Sequence, residues 1–356
     1  SIWWQAATDM GLAEKLATFL IGSGVTFDAA GVDEETEADE QIADLWAINR
    51  GDILQSNLAL SGVLEGHVAV RLIPDALAEA WPKIQQVKQC HFAAFWDAFD
   101  MSRIVWYRLQ AQCRRIDYVS GMRDGGGFDH SQPFWTELTY RGEPEKKDIM
   151  GQGGDTIKWI LESEVIWEWP WPPIVDWQNL PNPNGYYGKS DAKSAINLND
   201  NMNFIVSNLM RIIKHFAHPK TVGTGFTASD LVATVIGDFW TIESPEAKIY
   251  NLEMATDASL SRWLAEVTAT ALWQSGGLVD PQTMKDQIGS LTNFGLRVLF
   301  TDAISRIGKK QMLYGEAFEA IVNRSFMLVG LDPPETLSVI WPDVLPEDDQ
   351  AEMTTL

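Results

Sequence analysis

The chain has 356 residues, 46% of them hydrophobic, and this is enough for a sizeable core in one large or two to three smaller domains. Its formal net charge of -22 argues against tight, non-specific nucleic-acid binding, which needs clustered Lys and Arg. No apolar run reaches the roughly 18 residues that a membrane-spanning helix needs, and nothing at the start is typical of a signal peptide.

The N-terminal part is predicted to contain two helices with an acidic connector between them. Residues 3–21 carry apolar side chains at three- and four-residue spacing, which is typical of a helix. Residues 28–44 contain eight acids and no basic residue, and this predicts a solvated connector. Residues 41–64 again follow a helical pattern.

From residue 67 to residue 169 the pattern changes to short runs of β-branched and aromatic residues between glycine-rich or charged turns. Such runs are typical of strands. We predict strands over residues 68–73, 104–109, 115–119, 134–140 and 157–161. The first half of the chain is therefore predicted to be α+β.

A proline-rich segment separates this region from a long helix. The run Trp169-Pro170-Trp171-Pro172-Pro173 cannot lie inside a helix, because each proline removes a backbone donor and fixes φ. We therefore predict an extended connector over residues 169–188. Ser190 is a suitable N-cap and Asp191 suits the positive end of a helix, which is predicted to span residues 191–218.

The rest of the chain is predicted to be mostly helical around a small β element. Gly237-Asp238 joins two short apolar runs and is typical of a hairpin turn, and residues 248–252 form a third candidate strand. Thr256 or Asp257 is expected to cap a second helix that ends at Gly276-Gly277. A loop then leads to a longer helix from Thr292 to Leu328, followed by a short strand.

This order of elements resembles the portal proteins of tailed bacteriophages. The resemblance covers nearly the whole chain as an ordered series rather than one signature. The segments that carry it are LWAIN (45–49), GVLEGHVAV (62–70), PIV (173–175), NLPNP (179–183), YGKSD (187–191), AHPK (217–220) with Gly223 and Gly225, NLEMATD (251–257) and IWPDVLPED (340–348).

The resemblance implies a portal-type α+β fold with named parts. These are a wing over residues 1–188 with its proline-rich connector at 169–188, a first stem helix (189–219), a clip (220–256), a second stem helix (257–275), a tunnel loop (276–291), a long wing helix (292–331) and the start of a crown (332–356). The clip is short and the crown almost absent compared with the family. The abrupt ends predict that flanking residues belong to a longer chain.

The function implied by the resemblance is structural rather than enzymatic, and it requires no cofactor. Twelve subunits would form a ring at one capsid vertex, through which double-stranded DNA passes during packaging and ejection. The expected partners are the terminase large subunit, which would hydrolyse ATP, the major capsid and scaffolding proteins, and a head-completion or adaptor protein. The expected location is the virion, after assembly in the host cytoplasm without a membrane.

The predicted first stem helix is basic in an otherwise acidic chain. Five basic residues face only two acids, Asp191 and Asp200, and they are Lys189, Lys193, Arg211, Lys214 and Lys220. One interpretation is a solvated helix face. The other is a surface that steers DNA phosphates or docks the packaging motor.

Other chemistry is only weakly indicated. Gly188-Lys189-Ser190 matches the end of a phosphate-binding P-loop, but the glycine that the pattern needs five residues earlier is Pro183. His215 and His218 lie one helical turn apart without an evident third metal ligand. The two cysteines, Cys90 and Cys113, do not predict a disulfide framework.

Two alternatives to the portal function are a P-loop ATPase and a Trp-rich, acidic carbohydrate-active enzyme. The second is considered because the chain holds 16 tryptophans.

By the same resemblance the tip of the tunnel loop, with Lys285, Asp286 and Gln287, projects into the bore. We expect that scrambling these three residues leaves ring assembly intact but impairs packaging or retention of DNA. Rings of wild-type and scrambled subunits would be compared by electron microscopy and by DNA protection from nuclease. Normal packaging by scrambled rings would contradict this role.

Overall fold

The computed structural model describes residues 2–22, 24–29, 36–75, 80–124, 127–146, 155–217, 221–225, 232–233, 240–241, 246, 248–251, 258–278 and 293–343. It is a mixed α+β structure with several sheets, as the sequence predicts. The chain forms two compact units. The smaller comprises residues 1–7 and 196–272, and the larger comprises residues 8–195 and 273–356.

The helices follow the predicted order, with two predicted helices each divided in two. The helices are α1 (Ile2–Ile21), α2 (Glu37–Ile48), α3 (Gly51–Glu65), α4 (Lys193–Ala217), α5 (Ala258–Ser275), α6 (Asn293–Leu299) and α7 (Thr301–Val329). The predicted helix over residues 41–64 is therefore α2 and α3, and the one that opens at Thr292 is α6 and α7.

The break between α2 and α3 has a local cause. Asn49 Nδ2 donates to the carbonyl oxygens of Leu45 (2.9 Å) and Pro82 (3.1 Å), while its Oδ1 accepts from the N–H of Ile84 (2.8 Å). An asparagine that satisfies backbone groups in this way competes with helix continuation. Arg50 then takes the left-handed conformation with φ 53°, and the chain turns before α3 begins.

Sixteen strands of 2 to 13 residues are found within the described residues. They are β1 (Thr26–Asp28), β2 (His67–Ile73), β3 (Lys83–Val87), β4 (Phe92–Trp96), β5 (Ile104–Ala111), β6 (Arg114–Ser120), β7 (Met122–Asp124), β8 (Gly127–Asp129), β9 (Trp135–Lys146), β10 (Asp155–Trp167), β11 (Ile174–Gln178), β12 (Thr221–Thr224), β13 (Val232–Ala233), β14 (Trp240–Thr241), β15 (Lys248–Asn251) and β16 (Ser338–Ile340).

The larger unit holds a five-stranded sheet in the order β10-β9-β6-β5-β4 and a three-stranded sheet in the order β11-β2-β3. All pairs are antiparallel. The five predicted strands are confirmed as β2, β5, β6, β9 and β10. The sequence missed β3, β4 and β11, and β11 lies inside the segment predicted to be an extended connector. The edge position of β11, next to β2, explains how a proline-flanked segment enters a sheet.

The main core of the larger unit lies along one face of α7. Phe318 is fully buried and its ring makes edge contacts with Trp46 of α2 and Trp177 of β11, at centroid distances of 5.7 and 6.2 Å. Further buried residues come from α3 and β2, including Leu58 and Val70. Helix α7 therefore packs against both the helices α2 and α3 and the three-stranded sheet β11-β2-β3.

The smaller unit contains residues of α4 and α5 together with four short strands. Strand β12 pairs with β15, which confirms the predicted strand near residue 248, and β13 pairs with β14. The turn Gly237-Asp238 lies outside the described residues, as do Lys220, His218, the tunnel-loop residues Lys285, Asp286 and Gln287, and residues 344–356 of the predicted crown.

Replacing Phe318 by alanine should lower the free energy of unfolding by about 3–5 kcal/mol, because the ring fills the core and its removal leaves a cavity. Urea denaturation followed by circular dichroism would measure the change. The matched control is Met312→Ala on the same helix, whose side chain is 70% exposed and should matter little. Equal losses in both variants would contradict the assignment of the core to this face.

Candidate functional site: a buried ion-pair cluster before helix α4

A carboxylate directly before α4 is completely buried among cations. Asp191 is 0% exposed, and its Oδ2 accepts from Lys310 Nζ at 2.6 Å and from Asn179 Nδ2 at 2.8 Å. Its Oδ1 lies 2.8 Å from Arg306 Nε. Lys310 and Arg306 are four residues apart on α7, so they project from the same side of the helix. All four residues belong to the larger unit.

The two cations of this cluster differ in their access to solvent. Lys310 is 1% exposed, whereas the Arg306 side chain is 26% exposed and also donates to the carbonyl of Ser275 at 3.2 Å. Burial lowers the pKa of the Lys310 amine from its usual value, and the Asp191 carboxylate opposes that shift. The ammonium is therefore held in the interior by this carboxylate.

The amide of Asn179 connects the ion pairs to Tyr314. Tyr314 is fully buried, and its hydroxyl donates to Asn179 Oδ1 at 3.2 Å. A Cβ atom added at Gly62 of α3 would lie 1.8 Å from the same hydroxyl oxygen. Glycine is therefore required at this position, and helix α3, the proline-rich segment and α7 all meet at the cluster.

Ser190 and two glycines complete the junction on the side of α3. The Ser190 hydroxyl lies within 2.9 Å of the Val63 and Leu64 carbonyl oxygens, and it accepts from the N–H of Ala192 at 3.1 Å. Because Ala192 precedes the first residue of α4, this contact closes a turn before the helix, and the predicted N-cap role of Ser190 is not seen. Gly66 and Gly188 approach so closely that a Cβ at Gly188 would lie 2.4 Å from the Gly66 carbonyl oxygen.

The same contacts explain the P-loop-like run Gly188-Lys189-Ser190. The Lys189 N–H donates to the Leu180 carbonyl at 3.1 Å, and the Asp191 N–H donates to the Val63 carbonyl at 3.0 Å. A phosphate cradle needs such N–H groups to point at the ligand. Here they are committed to protein carbonyls, and Gly188 serves close packing.

A second buried carboxylate fixes the middle of the proline-rich segment. Asp176 of β11 accepts from His67 Nε2 at 3.0 Å, from the Tyr107 hydroxyl at 2.6 Å and from the Tyr186 hydroxyl. Because an ionised carboxylate only accepts hydrogen bonds, His67 Nε2 is the donor in this contact. Burial is the main cause that raises the pKa of both tyrosines.

Tryptophans and an arginine hold the start of the proline-rich segment. Trp169 and Trp171 stack at a centroid distance of 5.5 Å, and the guanidinium of Arg324 lies 5.2 Å from the Trp171 ring. Arg324 Nη1 also donates to the carbonyls of Pro172 (3.2 Å) and Ile174 (2.6 Å). The segment is thus tied at its start, middle and end.

The predicted basic residues do not take part in this cluster. Lys189 and Lys193 are exposed beside it, and Arg211 and Lys214 are exposed further along α4. The cations that matter, Lys310 and Arg306, lie more than 100 residues from Asp191 in sequence, so local pattern could not find them. Asp191 was predicted to suit the positive end of the helix, and the structure places it fully buried, two residues before α4 begins.

Helices α4 and α5 leave large apolar side chains in solvent. On α4, Met210 is 67% and Ile213 55% exposed, and no residue over positions 200–214 is fully buried. On α5, Trp263 is 58% and Val267 44% exposed. A helix in a protein gains most of its stability by packing its apolar face against other elements. Helices α4 and α5 bury their apolar faces only in part.

No protein-family model matches the chain, and no curated protein matches it at a significant level. None of the helices within the described ranges is both long and apolar enough to cross a membrane. In the part of the chain that the structure describes, no three His, Cys, Asp or Glu side chains are grouped to hold a metal ion. Both cysteines, Cys90 and Cys113, are exposed and free.

Replacing Asp191 by asparagine should lower the free energy of unfolding by about 3–5 kcal/mol, because Lys310 would be left buried without its counter-charge. The pKa of Lys310 would then fall further, so between that lowered pKa and about pH 10 the unfolded state would bind more protons than the folded one. The deficit relative to wild type should therefore shrink as pH rises toward that value. Chemical denaturation at several pH values measures this.

The matched control is Asp191→Asn combined with Lys310→Met, which removes the unpaired ammonium together with the carboxylate. This double variant should recover part of the lost stability and lose the dependence on alkaline pH. A double variant as unstable as the single one would show that Lys310 is not the source of the penalty.

Proposed function

We propose that this chain is the subunit of a ring-shaped portal, a DNA channel at one vertex of a tailed-phage capsid. The observation that carries the proposal is the long helix α4, whose apolar stripe stays exposed while its base is fixed by the Asp191 cluster. The resemblance of the sequence, segment by segment, to portal proteins supports the proposal that the ring is a portal.

The exposed stripe has the properties of an interface between copies of the chain. Met202, Val206 and Leu209 are half-buried on the same side of α4 as the exposed Met210 and Ile213. Contiguous exposed apolar surface of this kind marks a protein contact. Identical subunits that contact each other head to tail through unlike faces form a closed ring when the rotation from one subunit to the next is a whole-number fraction of 360°.

The side of α4 away from the stripe fits a surface that faces DNA without holding it. Arg211 is exposed on that side beside the exposed Phe204, and the exposed Lys214 lies at the edge of the stripe near Met210. A few cations in a chain of net charge -22 attract phosphates weakly while the rest repels them. In this proposal double-stranded DNA is the transported partner, and terminase, capsid, scaffolding and adaptor proteins dock on the ring.

The oligomeric state of the purified chain tests the proposal. Negative-stain electron microscopy and light scattering should show rings of about twelve subunits with a central hole. The double variant Met210→Asp with Ile213→Asp should reduce the rings to monomers with an unchanged melting temperature, because two carboxylates in the interface would be desolvated.

The control is Ile53→Asp on α3, a position that is 61% exposed in the larger unit and outside the stripe. It should leave the rings intact. A monomeric wild-type chain under all assembly conditions, or rings that persist in the α4 variant, would overturn the assignment of this helix to the subunit interface.

A further inference from the structure

A cavity of about 330 Å³ opens on one face of the five-stranded sheet. Strands of the sheet contribute most of its wall, and residues of β8 and the turn after it contribute the rest. The side chains used below are Phe95, Trp106, Arg115, Asp117, Tyr140 and His130. All of them belong to the larger unit, and none takes part in the Asp191 cluster.

Asp117 and Arg115 line the cavity, and with the adjacent Arg108 they form a group that carries one excess positive charge. Asp117 is 1% exposed, and two arginines share it: Arg108 Nε lies 3.0 Å from Oδ1, and Arg115 Nε lies 3.0 and 2.9 Å from the two oxygens. Each guanidinium uses its Nε and Nη2 groups on Asp117. The Nη1 group of Arg115, the one of the two arginines that lines the cavity, is left for another acceptor, and the carboxylate already accepts from both guanidinium groups.

The cavity has further polar groups. Trp106 Nε1 is buried and has no hydrogen-bond partner among the described residues, as is also true of the indole N–H groups of Trp46, Trp167 and Trp177. His130 Nδ1 donates to the Ser120 carbonyl oxygen at 2.6 Å, so Nε2 of the neutral imidazole is an acceptor. The guanidinium and indole N–H groups fit acceptor oxygens of a ligand, and the imidazole Nε2 fits a hydroxyl group.

Aromatic rings flank this donor set. Phe95 and Trp106 stack at 4.7 Å, and the Arg108 guanidinium lies 4.4 Å from the Trp106 ring. Arg115 lies 4.7 Å from the Tyr140 ring. Phe95 is 40% exposed, so its ring is accessible to a flat ligand group. Stacked rings and guanidinium planes favour a planar group.

We propose that this cavity binds a small oxyanion carried by a flat ring, such as a nucleoside monophosphate or an aromatic carboxylate. The Arg115 Nη1 group and the Trp106 N–H bind the oxyanion, and the ring lies against Phe95. A cross-strand bridge alone would account for Asp117 and its two arginines. It would not account for the adjoining cavity, whose wall places the Arg115 guanidinium together with the exposed Phe95 ring. The inference is independent of ring formation.

Calorimetric titration of the full chain tests the site with four probes: adenosine monophosphate, indole-3-acetate, inorganic phosphate and adenosine. Saturable binding is expected for one or both of the first two, and at least tenfold weaker binding is expected for phosphate and adenosine, which each lack half of the recognised chemistry. Binding of adenosine monophosphate alone would indicate a phosphate ligand, and binding of indole-3-acetate alone would indicate a carboxylate ligand.

Arg115→Gln should weaken binding at least tenfold. His130→Ala, which changes an exposed side chain, should weaken it by a factor of about three. The matched control is Arg141→Gln, because Arg141 pairs with Glu143 and Glu162 on the same sheet but does not line the cavity. Circular dichroism would show that each variant is folded, and the His130 variant keeps the test valid if the Arg115 variant is not.

The proposal is overturned if neither ring-bearing anion binds at concentrations up to about 10 mM. It is also overturned if inorganic phosphate binds as tightly as adenosine monophosphate while indole-3-acetate does not bind, because the flat ring would then contribute nothing. Equal loss in the Arg115 and Arg141 variants would place the binding elsewhere.

Discussion

The desolvated pair between Asp191 and Lys310 is the interaction on which the arrangement of this chain depends. Neither charge has access to water, so each makes the burial of the other tolerable, and a neutral residue at position 191 would leave Lys310 buried without a counter-charge. The pair ties the residue before α4 to the middle of α7, the helix that also carries the main core. Loss of the Asp191–Lys310 pair would free the first residues of α4 and would leave an unpaired charge in the interior.

The architecture shows how a proline-rich segment can be rigid. Prolines prevent it from forming a helix, and it has few backbone donors of its own. It is held instead by side chains from other elements: Arg324 on its carbonyls, the tyrosines on Asp176, and Asn179 between Asp191 and Tyr314. The rigidity is therefore tertiary, although the composition of the segment suggests a simple linker.

Much of the fold could be predicted from periodicity, and much of the site could not. The extent of α4 and the positions of β5, β6 and β15 follow from local patterns, because each element carries its own apolar spacing and end signals. The break at Arg50 was missed because it depends on Asn49 reaching Pro82 and Ile84, which are brought close only by folding. The partners of Asp191 were missed for the same reason. The sequence predicted an N-cap at Ser190, but nothing near it marked Lys310 as a counter-ion.

The separation of 119 residues between Asp191 and Lys310 has a consequence for the order of events during synthesis. At roughly 5–20 residues per second, α4 leaves the ribosome roughly 6 to 24 s before its counter-ion does. During that interval Asp191 remains hydrated, the base of α4 is unattached, and the stripe with Met210 and Ile213 is open to any apolar surface nearby. The nascent chain is thus most vulnerable to misassociation after the long helix is made and before α7 arrives. Chaperone occupancy on the ribosome should be concentrated in that interval.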